Sequence, residues 1–324
     1  MKRALITGGA GFIGSSLADR LLQDGVSVAI IDDFRTGRRE FIEDALELGA
    51  ELFEGDVLDN DLLRRAVDGC DTVFHFQANA DVRHGLEHPQ RDLEQNTIAT
   101  AKVLEAMRGA GARRICFSST GSVYGEPEVF PTPEDAPFPI QTSLYAASKL
   151  AGEGMIGAYA HGFEFTGLIF RFVSLLGERY THGHVVDFYR ALKRDPGHLK
   201  VLGDGRQTKS YLYIQDCLDA IVTAVEHHGD EPGAHVYNLG TDETTTVDDS
   251  IATITKRLGV TPEIQKTGGA RGWAGDSPMI HLETVKIRSL GWAPTLSIHE
   301  SIVKTLDWFE TAPSIVLEQE ATGS

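Results

Sequence analysis

Residues 4–14 read Ala-Leu-Ile-Thr-Gly-Gly-Ala-Gly-Phe-Ile-Gly, an apolar strand running straight into Gly8-x-x-Gly11-x-x-Gly14. The glycines have separate physical jobs. One permits a tight turn, one lets backbone approach a pyrophosphate, and one lets a helix pack closely on the strand. A helix is expected over Phe12–Gln23, with Ile13, Leu17, Leu21 and Leu22 on one face. Its N-terminal N–H groups and positive dipole end would point at the phosphates. A second strand, Val26–Ile31, ends at Asp32, 24 positions after Gly8. That is where a carboxylate meets the adenosine ribose hydroxyls. A glycine triplet alone is a common turn; with the strand, helix and acid around it, it reads as a dinucleotide fingerprint.

The same acid bears on cofactor choice. Asp32 and Asp33 would repel a 2′-phosphate, which favours NAD over NADP. Arg35, Arg38 and Arg39 follow in a loop and are the alternative, as receivers of such a phosphate. With 324 residues, 41% of them hydrophobic, the chain can bury one large core or two unequal ones. A formal net charge of -17 without a basic stretch argues against nucleic acid or an anionic membrane surface as partner. No segment has the length of a membrane span, and the first strand starts too near Met1 for a signal peptide ahead of it. Cys70, Cys116 and Cys217 are scattered and read as reduced thiols of a cytoplasmic protein. His182, His184, His227 and His228 make no ligand set with carboxylates at metal spacing, so they read as loop and surface residues and no metal is expected.

From residue 1 to 172, strand-like and helical runs alternate. The strands are expected at Arg3–Thr7, Val26–Ile31, Glu51–Glu54, Thr72–Phe76, Arg114–Ser118 and Thr166–Phe170, with helices at Asn60–Val67, Leu93–Ala110 and Leu144–Ala160. This alternation predicts an α/β fold: a Rossmann-like, doubly wound parallel sheet with ligands at the strand C-termini. The loops there carry Asp56, Gln77–Asp81 and Ser119–Tyr124. After residue 173 the pattern loosens. Tyr211–His227 reads as a strand and helix rejoining the sheet, and Val247–Leu258 as a helix. The expected division is a cofactor domain, 1–172 with 209–242 returning to it, a smaller C-terminal substrate domain, 173–208 and 243–312, and a frayed tail, 313–324.

Tyr145-Ala-Ala-Ser-Lys149 opens the third of those helices. Four-residue spacing puts phenol and ammonium on one helix face. A nearby cation favours the phenolate, lowering the tyrosine pKa toward working pH. Ser118-Ser119-Thr120 closes the fifth strand and can set a hydroxyl beside the tyrosine.

Together these stretches resemble the extended short-chain dehydrogenase/reductases, specifically the nucleotide-sugar 4-epimerase group. The resemblance spans roughly residues 1 to 310. Beyond the motifs above it includes Gly55-Asp56-Val57, Phe74-His75, Asn96, Val123-Tyr124-Gly125, Gly203-Asp204-Gly205, Tyr211 to Asp216, Asn238-Leu239-Gly240 and Leu290-Gly291-Trp292 with Pro294. It implies Thr120, Tyr145 and Lys149 as catalytic residues. Cofactor contacts are implied from Gly8, Gly11, Phe12, Ile13, Asp32, Asp56, Val57, Gln77, Asn96, Tyr145 and Lys149. Substrate contacts are implied from Ser119, Thr120, Gly121, Ser122, Tyr145, Ser174, Lys209 and Arg271. The dehydratases of this group carry Asp-Glu directly after the threonine, and the decarboxylating members carry a glutamate nearby. Gly121-Ser122 stand there here, which leaves simple epimerisation.

The chain departs from the group at Gln77, at Lys209 where an arginine usually meets the diphosphate, and at Ser174 in place of an asparagine. Arg271, planar and bidentate, becomes the expected phosphate clamp. Ser174 resembles the hydroxyl residue of uronic-acid 4-epimerases, so the favoured substrate is UDP-glucuronate/UDP-galacturonate, ahead of UDP-glucose/UDP-galactose. A nucleotide-sugar reductase or dehydrogenase and a non-catalytic NAD sensor stay open. A homodimer through Leu93–Ala110 and Leu144–Ala160 is expected, partly as the resemblance implies and partly from the apolar Val103, Leu104, Met107, Leu150, Met155 and Ile156.

Overall fold

In the computed structural model, which describes residues 1–79, 88–138, 140–269 and 279–317, seven parallel strands form the central sheet. The first half runs β1 (Arg3–Thr7), α1 (Phe12–Gln23), β2 (Ser27–Asp32), α2 (Glu43–Glu47), β3 (Glu51–Glu54), α3 (Asn60–Val67), β4 (Thr72–His75), α4 (Pro89–Asp92), α5 (Ala99–Ala110), β5 (Arg114–Thr120), α6 (Leu144–Phe163) and β6 (Thr166–Phe172). There follow β7 (Ser174–Leu176), α7 (His184–Arg194), β8 (His198–Val201), β9 (Thr208–Lys209), β10 (Tyr211–Tyr213), α8 (Ile214–His228) and β11 (Gly233–Leu239). The strand order is β11-β6-β5-β4-β1-β2-β3. Order reverses between β1 and β4, and a crevice for ligands opens at their C-terminal ends.

The strands are buried on both faces, so they read as unbroken apolar runs rather than alternating ones. Leu5, Ala29, Val73 and Ile115 pack toward α3, α5 and α6 on one side, while Ala4, Ile6, Ile30 and Cys116 pack toward α1 and α8 on the other. A third apolar cluster gathers Val185, Tyr189, Leu199, Ile251, Leu306 and Phe309 from α7, β8, α9 (Val247–Leu258) and a later helix, Ile298–Thr311.

Three elements differ from the reading of the sequence. Tyr211–Tyr213 does not rejoin the sheet; it pairs in parallel with Ser174–Leu176. The strand that closes the sheet is Gly233–Leu239, on β6. Residues 313–317 do not fray: Pro313–Leu317 is a helix, Val316 is fully buried, and its carbonyl accepts from Arg190 Nε at 2.6 Å. One buried valine in the third cluster is enough to pin so short a turn. The Leu93–Ala110 helix also begins unusually, with a π-helical stretch at Leu93–Ile98 before α5.

Candidate active site

Strand β1 delivers the chain into the glycine loop under tight steric limits. Gly8 has φ +69°, and a Cβ there would lie 2.8 Å from the Gln77 backbone. A Cβ at Gly14 would lie 2.3 Å from the Gly8 carbonyl oxygen. Gly11 caps α1 without any side-chain hydrogen bond, so the first-turn N–H groups at Phe12 and Ile13 face the crevice without a capping side chain. Such an open helix start suits an anion. Asp32, 8% exposed, accepts from Ala10 N–H at 2.9 Å and from Phe34 N–H at 2.8 Å. Burial holds its carboxyl above the usual range, against the pull of those two amides. These residues fit a dinucleotide: a cradle only glycine can line, an uncapped helix, and a carboxylate at the end of β2.

The other expected cofactor contacts are held by a hydrogen-bonded set of their own. Asp56 accepts from Leu58 N–H at 2.9 Å, from Gln95 Nε2 at 3.1 Å and from Arg35 Nη2, while Arg35 also pairs with Asp33 at 2.7 Å. Arg35 is thus held by carboxylates rather than offered to a 2′-phosphate. The Val57 side chain is in the core, which leaves only its backbone for a ligand. Gln77 donates through Nε2 to Gln95 Oε1, and its own Oε1 is buried without a partner. Asn96 is fully buried. Its Nδ2 donates to Ser148 Oγ at 2.8 Å and Asn79 O at 3.2 Å, while its Oδ1 accepts from Asn79 N–H at 2.8 Å. It braces the 77–79 turn against α6.

At the next strand end, β5 and α6 converge. Ser143 caps α6 through Ala146 N–H, so Tyr145 sits in the first turn. The Thr120 hydroxyl favours the ionised Tyr145 phenol, and Thr120 Oγ1 accepts from Ser122 N–H at 3.1 Å. Lys149 is 1% exposed; its Nζ donates to Ser118 O at 2.7 Å and lies 4.7 Å from the Phe117 ring centroid. Burial pushes the lysine down to about 7, opposed by the charge of Glu153. The phenol is not lowered as its spacing to Lys149 had suggested. Burial and then the Asp92 charge push it up to about 12, against the Thr120 hydroxyl. The lysine head turns toward the Ser118 carbonyl, so the two groups share a helix face without a direct bond. His75, beneath them, is fully buried between Thr7 Oγ1 at 2.8 Å and Thr100 Oγ1 at 3.0 Å. Burial and the Lys149 charge hold it neutral, down to about 3.

The sugar side is less regular. Ser119 is 2% exposed and donates its hydroxyl proton to Glu153, so that proton is committed away from any substrate. Gly121 opens the 3-10 turn Gly121–Tyr124, where a Cβ would lie 3.2 Å from Ile280 and 3.3 Å from Leu282. Ser174 starts β7 and is exposed. Lys209 lies in β9 near His184, whose ring burial and the Lys209 charge lower to about 4. Arg271 lies outside the described residues.

The histidine reading needs two corrections. His184 is no surface residue: its Nδ1 meets Tyr211 OH at 3.0 Å and its Nε2 is buried. His228, Glu231 and His235 do come together, with ligand atoms within 4.8 Å of one another. The His228 and His235 rings stack at 3.7 Å and 25°, so their in-plane lone pairs do not converge on one cation as they stand. The residues that sequence reasoning missed are Glu153, Arg171 and Gln95; all three are buried polar side chains, but only the folded chain shows what they meet.

Residues 4–240 match the family model described as "NAD dependent epimerase/dehydratase family". The chain belongs to this family of enzymes, and NAD is its cofactor. It is 33% identical over 314 residues to the UDP-glucose 4-epimerase of Mycolicibacterium smegmatis, covering 95% of this chain and 98% of that protein. The UDP-glucose 4-epimerase of Thermus thermophilus in complex with NAD superposes with a TM-score of 0.84 at 32% identity, covering 96% of this chain and 99% of that one. The UDP-glucuronic acid 4-epimerase of Bacillus cereus, in complex with UDP-glucuronic acid and NAD, does so with 0.86 at 27%, covering 95% and 99%.

Proposed function

We propose that this enzyme inverts C4 of a UDP-sugar, with Tyr145 as the base, Thr120 orienting the C4 hydroxyl and Lys149 supporting the phenolate. The observation that carries this reading is the convergence of Thr120, whose Oγ1 accepts from Ser122 N–H at 3.1 Å, with Tyr145 where β5 and α6 meet, and Lys149 buried one turn along α6. NAD supplies a reversible hydride acceptor for C4, and its positive nicotinamide would favour the ionised phenol. The glycine loop and Asp32 would hold the dinucleotide, Tyr145 takes the O4 proton and returns it, and neither Gly121 nor Ser122 is itself an acid. Residues 173–208 and 243–312 carry the sugar nucleotide, with Lys209 and Arg271 toward the diphosphate.

A neutral hexose now has the better support. A C6 carboxylate needs several donors. Of the expected donors (the hydroxyls of Ser119, Thr120, Ser122 and Ser174 and the N–H groups after Gly121), Ser119 has given its proton to Glu153 and Ser122 N–H is used by Thr120. The relatives of at least 30% identity include UDP-glucose 4-epimerases. The exposed Ser174 hydroxyl and the Bacillus cereus fold neighbour keep UDP-glucuronate as the second reading.

Val103, Leu104, Met107 and Ile156 are spent on this chain's own core; Leu93, Ile98, Leu144 and, at the end of α6, Phe163 are the exposed large apolar residues on those helices. They are the surface we assign to a two-fold partner, which sedimentation at micromolar concentration tests. The function itself is tested by incubating the protein with substoichiometric NAD and UDP-glucose, UDP-galactose or UDP-glucuronate, reading C4 configuration by proton NMR. Epimer formation is expected. Turnover only with stoichiometric NAD would mean net redox chemistry, and NAD binding with no turnover would mean a sensor.

A further inference from the structure

Behind the hydroxyls that end β5 stands a buried ion pair. Glu153 and Arg171 are 7% and 3% exposed. Arg171 donates through Nη2 to Glu153 Oε2 at 2.7 Å and through Nε to Oε1 at 3.0 Å. Glu153 lies one helical turn past Lys149 and two past Tyr145 on α6. It also accepts the Ser119 hydroxyl proton, so it grips β5 one residue before Thr120.

The other arm of Arg171 reaches forward. Its Nη1 donates to Tyr124 OH at 2.7 Å and to Glu134 O at 3.0 Å, and its guanidinium sits 4.9 Å and 4.8 Å from the ring centroids of Tyr124 and Phe138. Tyr124 OH donates to Asn238 Oδ1 at 2.8 Å, and Asn238 Nδ2 donates to Thr132 O at 2.9 Å. One connected set therefore joins α6, the end of β5, β6, β11 and the 132–138 segment. A planar five-donor fork can hold so many acceptors at once; an ammonium cannot. Stability alone is a weak reason for such a pair, since exchanging a buried ion pair for apolar side chains of similar volume is often neutral.

We propose that Glu153 and Arg171 are positioning residues for the reaction: acting through Ser119 and Thr120, they fix the hydroxyl end of β5 against the Tyr145–Lys149 face of α6 and lock the 132–138 segment to the same frame. This rests on the reading of Tyr145 and Thr120 above. Glu153 is also the charge that favours the Lys149 ammonium. The other groups facing Lys149 are Ser118 and Phe117 on β5, neutral His75 on β4, Tyr145 on α6 and, past Glu153, Arg171 on β6.

The test is the paired variant Glu153→Leu/Arg171→Met, with the single variant Glu153→Gln beside it. The paired variant should keep its circular dichroism and bound NAD, yet lose at least ~30-fold in kcat while KM for the UDP-sugar moves less than ~3-fold. In Glu153→Gln, which keeps the shape, Lys149 should lose its proton at lower pH, the phenol should ionise less readily, and the midpoint of the kcat–pH profile should move up by at least ~0.5 unit. A folded paired variant with kcat within ~3-fold of wild type overturns the proposal. So does an unmoved pH midpoint in Glu153→Gln, which decides the matter if the paired variant does not fold. If the wild-type protein itself epimerises no UDP-sugar, the functional reading fails instead. The pair is then judged by amide exchange alone: the paired variant should exchange at least ~10-fold faster at Ser119–Tyr124 and at 132–136, and unchanged protection there refutes the coupling.

Discussion

The cofactor end and the sugar end of this site are built from the same sheet by different means. At the cofactor end, the glycine loop, the start of α1 and Asp32 lie within 25 residues and largely constrain one another, Gly14 against the Gly8 carbonyl and Asp32 against Ala10 N–H, with the Gln77 backbone behind Gly8 as the more distant contact. At the sugar end, Ser119 is fixed by Glu153, 34 residues on, Tyr124 by Asn238, 114 residues on, and Arg171 by the carbonyl of Glu134. Local constraint makes a motif; long-range constraint makes a pocket. The contrast predicts that damage at the cofactor end shows as lost binding, whereas damage at the sugar end shows as lost turnover with binding intact.

The largest effect is expected on the sugar side. Tyr145→Phe keeps the ring and the fold but removes the base, so kcat should fall at least ~10²-fold while bound NAD, read by chromatography after denaturation, stays at the wild-type level. Parallel loss of NAD would erase the distinction between the two ends. The next is Gly14→Ala. A Cβ 2.3 Å from a backbone oxygen must displace the loop. Overpacking of that kind costs about 1–3 kcal/mol, so titration should show NAD affinity down by roughly 5- to 150-fold. Asp32→Ala should be milder, weakening NAD by about tenfold and relaxing discrimination against NADP; a wild-type protein that already prefers NADP would refute the role of Asp32.

The smallest effect lies under both ends. His75 stays neutral in the folded state down to about 3, whereas in the unfolded chain it takes up a proton near its ordinary 6.5. Below pH 6.5 the unfolded state therefore binds a proton the folded state refuses, and stability falls as pH falls. Between pH 6.5 and 5.5 the loss from this group should be about 1 kcal/mol, read from denaturant midpoints, and His75→Asn should flatten that slope.

What could be read from sequence follows the same division. The helices Phe12–Gln23, Asn60–Val67 and Val247–Leu258 have the same bounds in the structure as in the sequence reading, and two of them carry their own caps: Asp59 accepts from Asp61 and Leu62 N–H, and Thr246 with Asp249 forms a capping box. Gly233–Leu239 went unread because Gly-Ala-His-Val-Tyr-Asn-Leu has no run of apolar residues; it is an edge strand whose pairing with β6 is a tertiary fact. Tyr211–Tyr213 is three residues long, and nothing in three residues says which neighbour they pair with. Ser119 looked like a substrate donor because a serine at a strand end usually faces the crevice; the glutamate that takes its proton is on another element.

In the proposed reaction hydride leaves C4 and returns to C4 of the same sugar. The direct measurement uses UDP-glucose carrying deuterium at C4, incubated with the NAD-loaded protein, with product read by NMR and mass spectrometry. The expected product is UDP-galactose with the deuterium still at C4 and no accumulation of NADH. Loss of the label to solvent, or NADH formed in proportion to product, would contradict this reaction.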